Sequence, residues 1–446
     1  MHIGYGSQML DDMYVSAEMG EVFGSTNQLA RWLDVESALA RAQSRLGLVP
    51  QYAADEITAK ALPKNIDLQA YKARLAISIH PIMPLVGLLA EACDGDAGEY
   101  VHWGATTQDI MDTGLVLQLV SAARLIKRDT TRLRDALRTV ASDHRSTLMV
   151  GRTHGQHAVP ITLGYKFAVY VDELGRLLEN LEGALAQCQY VQFGGAAGTL
   201  ASLGPIGLDV RRLLGEELGL KVAPITWHVS RDRLTNLCFA TISIVALCRK
   251  VAGEVMTLQR TDIGEVEEPF HMGKIGSSTM PHKRNPMLSE IVWSVGAVAM
   301  DTFHTVFASS VQQHERDMSA WQIEWDAIPR LFVLGHRALT VLVQVVEGMT
   351  INGDRMLRNL ASTSGLVSSE AAMMALARHL GRQRAHNVVY EIAMQAAEQG
   401  KPFAELLLGC PELADPDVNA DVRGALAPEA VVEAAKLQVD SVLELV

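Results

Sequence analysis

Residues 163–188 read Leu-Gly-Tyr-Lys-Phe-Ala-Val-Tyr-Val-Asp-Glu-Leu-Gly-Arg-Leu-Leu-Glu-Asn-Leu-Glu-Gly-Ala-Leu-Ala-Gln-Cys. Leu163, Phe167, Tyr170, Leu174, Leu177, Leu181, Ala184 and Cys188 recur at alternating spacings of four and three. That is one face of an α-helix, sustained over about four heptads, whereas a strand would alternate every second residue. The same alternation runs through Leu119, Ala123, Ile126, Thr130, Leu133, Leu137 and Val140, and again through Leu234, Cys238, Thr241, Val245, Cys248, Ala252 and Val255. Each stripe predicts a long helix packed at a shallow angle in a bundle. At about 1.5 Å per residue such helices run on the order of 40 Å.

Outward from these helices, strand alternation is nearly absent, and the expected fold class is all-α. Aromatic residues are only 5% of the chain, and many small residues allow close helix–helix approach. One core could hardly bury three such helices on all sides, so self-association is expected. From about Ile351 the helical segments are shorter and broken by Gly381, Gly400, Pro402 and Pro411. The expected organisation is an N-terminal helical domain (1–108), a central long-helix bundle (109–350) and a C-terminal helical domain (351–446). No linker-like stretch and no repeat of solenoid period interrupts it.

The chain has 446 residues, a length compatible with about three domains. Apolar residues make up 48% and charged residues 20%, enough for a sizeable core and unlike a disordered chain. With 39 Lys+Arg against 51 Asp+Glu the net charge is −12, which argues against a nucleic-acid binder. Five cysteines without a Cys-x-x-Cys make no disulfide framework and point to a reducing compartment. The start carries no visible signal peptide. No uninterrupted apolar run reaches the ~18 residues of a membrane span. The most apolar stretch, 291–311, is broken by Asp301 and His304 and reads as a buried core helix. The expectation is a cytoplasmic protein with no membrane or nucleic-acid partner.

Three polar, Gly-punctuated segments interrupt the helices: Val101-His-Trp-Gly-Ala-Thr-Thr-Gln-Asp109, Gly151-Arg-Thr-His-Gly-Gln-His-Ala-Val-Pro160 and Gly276-Ser-Ser-Thr-Met-Pro-His-Lys-Arg-Asn-Pro286. Loops on rigid helices are where sites concentrate. In the third, a donor-rich Gly-Ser-Ser backbone precedes Lys283, Arg284 and Asn285. On its physics this is either a local anion receptor for carboxylate or phosphate, or a solvated loop with chance charges. In the second, His154 and His157 lack a third Glu or Cys ligand, and Gly155 breaks any rigid helical face, so no metal is expected. A general acid–base role for His154 fits its hydrogen-bonding neighbours Thr153, Gln156 and His157; the alternative is a buried, satisfied histidine. Gly194-Gly-Ala-Ala-Gly198 lacks the Gly-Lys-Ser/Thr ending of a phosphate loop and reads as a turn of close backbone approach.

Residues 276–285 resemble the signature Gly-Ser-Ser-x-Met-Pro-x-Lys-x-Asn of the fumarase/aspartase superfamily, with every fixed position present. The other two segments match that family's two other conserved regions in order, so the resemblance covers most of the chain. It implies an all-α homotetramer with a central long-helix bundle, sites built from three subunits, and no cofactor. Most members eliminate a group from a succinyl substrate and release fumarate. One branch, 3-carboxy-cis,cis-muconate cycloisomerase, opens and closes a lactone instead.

Two branches are matched. Tyr100–Leu119, Val191-Gln-Phe-Gly-Gly195, Trp227-His228 and His314-Glu-Arg316 followed by Trp321 and Trp325 look like the cycloisomerase. His154 in Arg-Thr-His-Gly-Gln, His80, Glu290 and Glu265-Val-Glu-Glu-Pro-Phe270 look like adenylosuccinate lyase. The phosphate-binding positions of that lyase are changed. Its opening Arg-Tyr-x-x-Pro-Glu-Met reads Met13-Tyr14-Val-Ser-Ala-Glu-Met19 here, and Gln322 and Trp325 stand where it carries a Ser and an Arg. Losing two guanidiniums removes charge-assisted bonds worth about 1.5–3 kcal/mol each. Trp321 and Trp325 favour an apolar or aromatic leaving part instead. Ser230 stands where both branches usually carry Gln.

The resemblance therefore implies a lyase acting on a small di- or tricarboxylate. It would break a C–N bond of an N-substituted aspartate and release fumarate, with the cycloisomerase as the alternative. Ser277 would take the Cβ proton, activated by the loop's N–H groups and nearby cations. Lys283, Asn285, Thr106, Thr107 and Thr153 would hold the dianionic intermediate. His154, oriented by Glu290, would protonate the leaving nitrogen, His80 would support that transfer or bind the departing group, and Arg233 would hold the distal part of the substrate.

Overall fold

The computed structural model describes residues 10–270, 280 and 282–445. Two short helices, α1 (Asp11–Tyr14) and α2 (Ala17–Val22), lead into α3 (Ser25–Ser44), α4 (Gln51–Lys60), α5 (Leu68–Ser78) and α6 (Ile82–Ala92). The 37-residue α7 (Thr107–Asp143) is followed by the antiparallel hairpin β1 (Leu148–Thr153) and β2 (Gln156–Thr162), then α8 (Leu163–Cys188). Next come β3 (Tyr190–Val191), α9 (Ile206–Leu218) and β4 (Lys221–Val222), the two strands pairing in parallel. α10 (Asp232–Leu258), β5 (Val266–Glu267), α11 (Met287–Ser309), α12 (Met318–Gly348) and β6 (Thr350–Ile351) complete the long-helix region. The C-terminal helices are α13 (Gly353–Ala361), α14 (Ser369–Leu380), α15 (Arg382–Gln399), α16 (Phe403–Leu408), α17 (Pro416–Ala425), α18 (Pro428–Val431) and α19 (Glu433–Leu445).

The three periodic stripes lie on α7, α8 and α10. Those of α7 and α10 are buried at every position read from the sequence. On α8 the buried line runs Leu163, Phe167, Tyr170, Leu174, Leu178, Leu181, Cys188, with Leu177 and Ala184 only half-buried. A straight helix drifts by about 20° per heptad against a strict seven-residue repeat, which moves the buried line from Leu177 to Leu178.

The chain divides into two compact units. The first comprises Met1–Asp129, Leu177–Cys248 and Ser294–Thr340. One core cluster joins Leu29, Leu33 and Val35 of α3, Ile57 of α4, Ile82, Leu85 and Leu89 of α6, Ile110 of α7 and Trp321 of α12. A second cluster packs Ala38 and Leu39 against Val191, Phe193, Val210 and Leu213. Burying each such Leu, Val or Phe contributes about 1.5–3 kcal/mol. The second unit comprises Thr130–Arg176, Arg249–Trp293 and Val341–Val446. There Ala372, Leu376, Ala385, Val389, Phe403, Leu407 and Val422 form the C-terminal core, and Val150 of β1 packs with Leu360 and Val367.

The segment read as a polar loop at 151–160 is instead most of a β-hairpin. Thr153 pairs with Gln156 and Arg152 with His157, with an irregularity between Val150 and Arg152. His154 (φ 54°) and Gly155 (φ 74°) form the two-residue turn. Two consecutive left-handed residues are what a tight hairpin turn requires, and glycine supplies the second without strain. The β-branched residues Val150, Val159, Ile161 and Thr162 carry the strand propensity of this hairpin.

Among the described residues three helices, α10, α11 and α12, are long and apolar enough to cross a membrane by length and composition alone. The apolar windows of α10 and α12 are 67% and 72% buried inside the protein, but that of α11 only 33%. In the first unit Phe303 and Phe307 of α11 join Phe239 of α10 in a row, with ring centroids 5.8 and 6.2 Å apart. Phe239 and Phe307 are both more than half exposed.

Candidate active site

The first polar segment ends where α7 begins, and a single carboxylate fixes its shape. Asp109 Oδ2 accepts from Thr106 N (3.0 Å) and Gly195 N (2.9 Å), while Oδ1 accepts from Gly194 N (2.9 Å) and His228 Nε2 (2.8 Å). Four donors on one buried carboxylate hold the Thr106–Thr107 turn against the Gly194–Gly195 turn. The glycines are needed for this approach. A Cβ on Gly194 would meet Gly198 Cα at 2.9 Å, and Gly195 has φ 70°. The close backbone turn expected from the Gly-rich run is therefore present, and its partner is Asp109.

A second buried network lies in the next helical turn. Arg231 donates from Nη1 and Nη2 to the two oxygens of Asp112 (2.7 and 3.0 Å) and from Nε to Glu324 Oε1 (3.0 Å). Trp321 Nε1 donates to Asp112 Oδ1 (3.0 Å), and Gln108 Nε2 donates to Asp112 Oδ2 and to His228 O. Burial alone would lower the Arg231 pKa, but Asp112 and Glu324 outweigh it and raise it, so the guanidinium stays charged. Networks of this kind are rigid when every member is satisfied.

His80 reaches this turn from the loop after α5. His80 Nδ1 accepts from Met83 N (3.3 Å), so the ring proton sits on Nε2 and is donated to Thr107 Oγ1 at 3.0 Å. The structure thus brings His80, Thr106 and Thr107 together at the amino end of a long helix, a place suited to a carboxylate.

Thr153, His154, Gly155, Gln156 and His157 are all exposed at the hairpin tip. The base of the hairpin is anchored. Arg152 makes a bidentate pair with Glu265 (2.9 and 2.7 Å), which also accepts from Asn359 Nδ2 (2.7 Å). His157 Nδ1 is 3.5 Å from Ser362 Oγ, and its pKa is lowered first by desolvation and then by the Arg152 charge. His154 has no hydrogen-bond partner among the described residues, and none joins it to Glu290.

Ser277 lies outside the described residues. Lys283 is exposed and Asn285 half-buried. With Gln259, Arg260, Glu267, His282, Arg284 and Pro286 they line a cavity of about 510 Å³. Arg284 pairs with Glu267 (2.8 Å) and covers the Phe270 ring. Glu268 caps the start of α11, accepting from Leu288 N (3.1 Å) and Ser289 N (3.0 Å), and so fixes the turn that carries exposed Glu290. Arg233 stacks on the Tyr190 ring at 4.2 Å. Of the two indoles expected to face a leaving group, Trp321 is buried and bonded to Asp112, and only Trp325 lines a cavity. Asp109, Asp112 and Arg231 are buried supports of this turn that the sequence does not single out. Besides near neighbours such as Thr106 and Gln108, they have partners more than 80 residues away along the chain, which no local pattern marks.

Among the described residues no group of three His, Cys, Asp or Glu side chains is placed to hold a metal ion. All five cysteines are free thiols, and burial pushes those of Cys188 and Cys248 up to about 12.

A family model described as "Lyase" matches residues 15–300, and one described as "Adenylosuccinate lyase C-terminus" matches residues 365–442. The chain is 39% identical over 435 residues to N-acetyl-S-(2-succino)cysteine lyase of Enterococcus italicus, covering 98% of this chain and 95% of that protein. It is 40% identical over 404 residues to 3-carboxy-cis,cis-muconate cycloisomerase of Pseudomonas aeruginosa, covering 90% and 88%. The crystal structure of a fumarate lyase from Mesorhizobium sp. BNC1 superimposes with a TM-score of 0.90 at 37% identity, covering 97% and 98% of the two chains.

Proposed function

The chain belongs to the lyase family of the fumarase/aspartase superfamily, and from that premise we propose that it catalyses β-elimination from an N-substituted aspartate or related succinyl substrate, releasing fumarate. The observation that carries this reading is the His80–Thr107 contact of 3.0 Å at the amino end of α7. It sets an imidazole N–H against the Thr107 hydroxyl at the amino end of a long helix, a place suited to a carboxylate. Asp109 and the Arg231 network hold those donors before substrate arrives, the condition under which fixed dipoles lower a barrier most.

In the proposed reaction Ser277 removes a proton from the CH₂ carbon, and the electron pair passes into the adjacent carboxylate to give a dianion. Thr106, Thr107, Thr153, Lys283 and Asn285 hold that dianion. The pair then forms the C=C bond of fumarate as the bond to the leaving atom breaks. His154, oriented by Glu290, protonates the leaving nitrogen. An amine cannot depart as its anion in water, so this acid is essential for C–N cleavage. The Enterococcus relative's name places a succinyl group on sulfur. A thiolate needs far less protonation, so the same elimination at sulfur would depend less on His154.

We also propose a homotetramer whose bundle is the 109–350 region, with sites shared between three subunits. The exposed His154 tip and the exposed phenylalanine row of α10 and α11 support it. Large exposed apolar patches on soluble domains usually mark interfaces. A second reading, the cycloisomerase, is favoured by the 40% identity to the Pseudomonas enzyme.

The test incubates the purified protein with fumarate and a panel of amines and thiols, including ammonia, AMP and N-acetylcysteine, and separately with 3-carboxymuconate. Loss of fumarate absorbance that requires an amine or thiol supports the lyase and identifies its leaving group. Turnover of 3-carboxymuconate alone replaces it with the cycloisomerase.

A further inference from the structure

Beside the His80–Thr107 contact lies a cavity of about 700 Å³. Ile79 and Pro81, on either side of His80, form one wall, and Met111, one helical turn beyond Thr107, forms another. Most of the rest is apolar, with the indoles of Trp32 and Trp325 and the ring of Tyr71. The volume far exceeds what a four-carbon succinyl group fills, so on the lyase reading above it receives the leaving part of the substrate. Its lining includes one cation, Lys72 of α5, with the amides of Gln28 and Gln322. Lys72 makes no ion pair among the described residues. Among the described residues that line the cavity there is no Asp or Glu to neutralise it.

We propose that Lys72 recognises a single carboxylate on the leaving group, so that the departing molecule is a monoanionic amine or thiol with an apolar body. A lone ammonium on an apolar wall matches one carboxylate. A phosphate dianion is usually held by several cationic or N–H donors, often a guanidinium fork, and the described lining of this cavity includes no arginine. The aromatic walls contribute affinity through area, and Lys72 contributes selection between an acid and its neutral isostere. This assignment rests on the proposed elimination for its role but not for its binding chemistry.

Calorimetric titration of the full-length protein with 3-phenylpropionate and with 3-phenylpropionamide tests the binding directly. Lys72 is itself exposed, so the acid should bind ~2–5-fold tighter than the amide, the range of one exposed ion pair. Lys72→Met should abolish that preference and Lys72→Arg should keep it, with unchanged circular dichroism. Equal binding of acid and amide, a preference that survives Lys72→Met, or AMP binding tighter than the acid would each overturn the assignment. The kinetic arm uses S-succinyl conjugates of 3-mercaptopropionate and 3-mercaptopropionamide. Lys72→Met should raise KM for the first by a similar factor, leave KM for the second unchanged, and leave kcat for both within about twofold. If the acid preference is present and neither conjugate is split, the elimination reading fails while the pocket stands. If both are split with KM values indifferent to Lys72, the elimination stands and the pocket assignment fails.

Discussion

The turn at Thr106–Thr107 and the turn at His154–Gly155 carry equally polar, Gly-flanked sequences, yet the protein treats them in opposite ways. The first is closed by its own chain. Asp109 takes four donors, Thr107 meets His80, and Arg231 braces the helix beneath. The second is rigid only at its base, through Arg152 and Glu265, and its tip presents Thr153, His154 and Gln156 outward. A self-completed turn is a preorganised receptor. An anchored tip with unused polar groups is a part awaiting another surface. On the proposed tetramer that surface belongs to a neighbouring subunit.

The sharpest test of this contrast is functional. His154→Ala should lower kcat on an N-succinyl substrate by 10²–10⁴, the range for a lost general acid, and by less on an S-succinyl substrate. Unchanged turnover on both would remove His154 from the chemistry. Mixing the inactive His80→Ala and His154→Ala proteins through mild denaturation and refolding should then restore about a quarter of wild-type activity, because random assembly pairs two intact contributions at that frequency. No recovery would mean that both residues serve one site within one chain.

Next in size is the cost of breaking the brace. Arg231→Met leaves Asp112 and Glu324 facing each other without their cation, and removal of one member of a buried pair costs about 3–5 kcal/mol. Urea unfolding should show that loss, whereas His154→Ala, at an exposed position, should leave the midpoint almost unmoved. Equal losses would erase the distinction between the two turns.

A smaller effect distinguishes the first turn by pH. His102, in the same segment, pairs with buried Glu36 at 2.7 Å. Desolvation would lower its pKa, but the Glu36 charge and hydrogen bond outweigh it, so the folded value lies above the ordinary 6.5. A raised histidine pKa stabilises fully below the unfolded value, and the contribution fades as pH rises through the folded one. Unfolding free energy should therefore fall across that window, and Glu36→Gln should flatten the slope. The smallest effect belongs to the hairpin tip. Gly155 has φ 74° and no atom within 4 Å of a Cβ, so Gly155→Ala should cost only the backbone penalty, about 1 kcal/mol. A much larger loss would mean that the tip is closely packed at Gly155 in the assembled protein.

Residue order alone displays the long helices and the segments proposed for the site. Helical burial repeats every few residues, so α7, α8 and α10 announce themselves within any window of two or three turns. The signature at 276–285 and the proposed site histidines at 80 and 154 can be picked out for the same reason, by residue type and close spacing. Tertiary structure alone decided the rest. Trp321 and Trp325 read as equivalent indoles, but Trp321 is held by Asp112, 209 residues away along the chain, and only Trp325 faces a cavity. Residues 151–160 read as loop because hairpin pairing depends on a partner strand and on two left-handed residues, neither of which sets a helical period. Asp109 and Arg231 each look like one acidic or basic residue among many, and each gains its role from partners up to 119 residues distant. Periodicity is a local property that a sequence displays directly. Which buried charge meets which donor depends on how distant segments are brought together, and that is fixed only when the chain has folded.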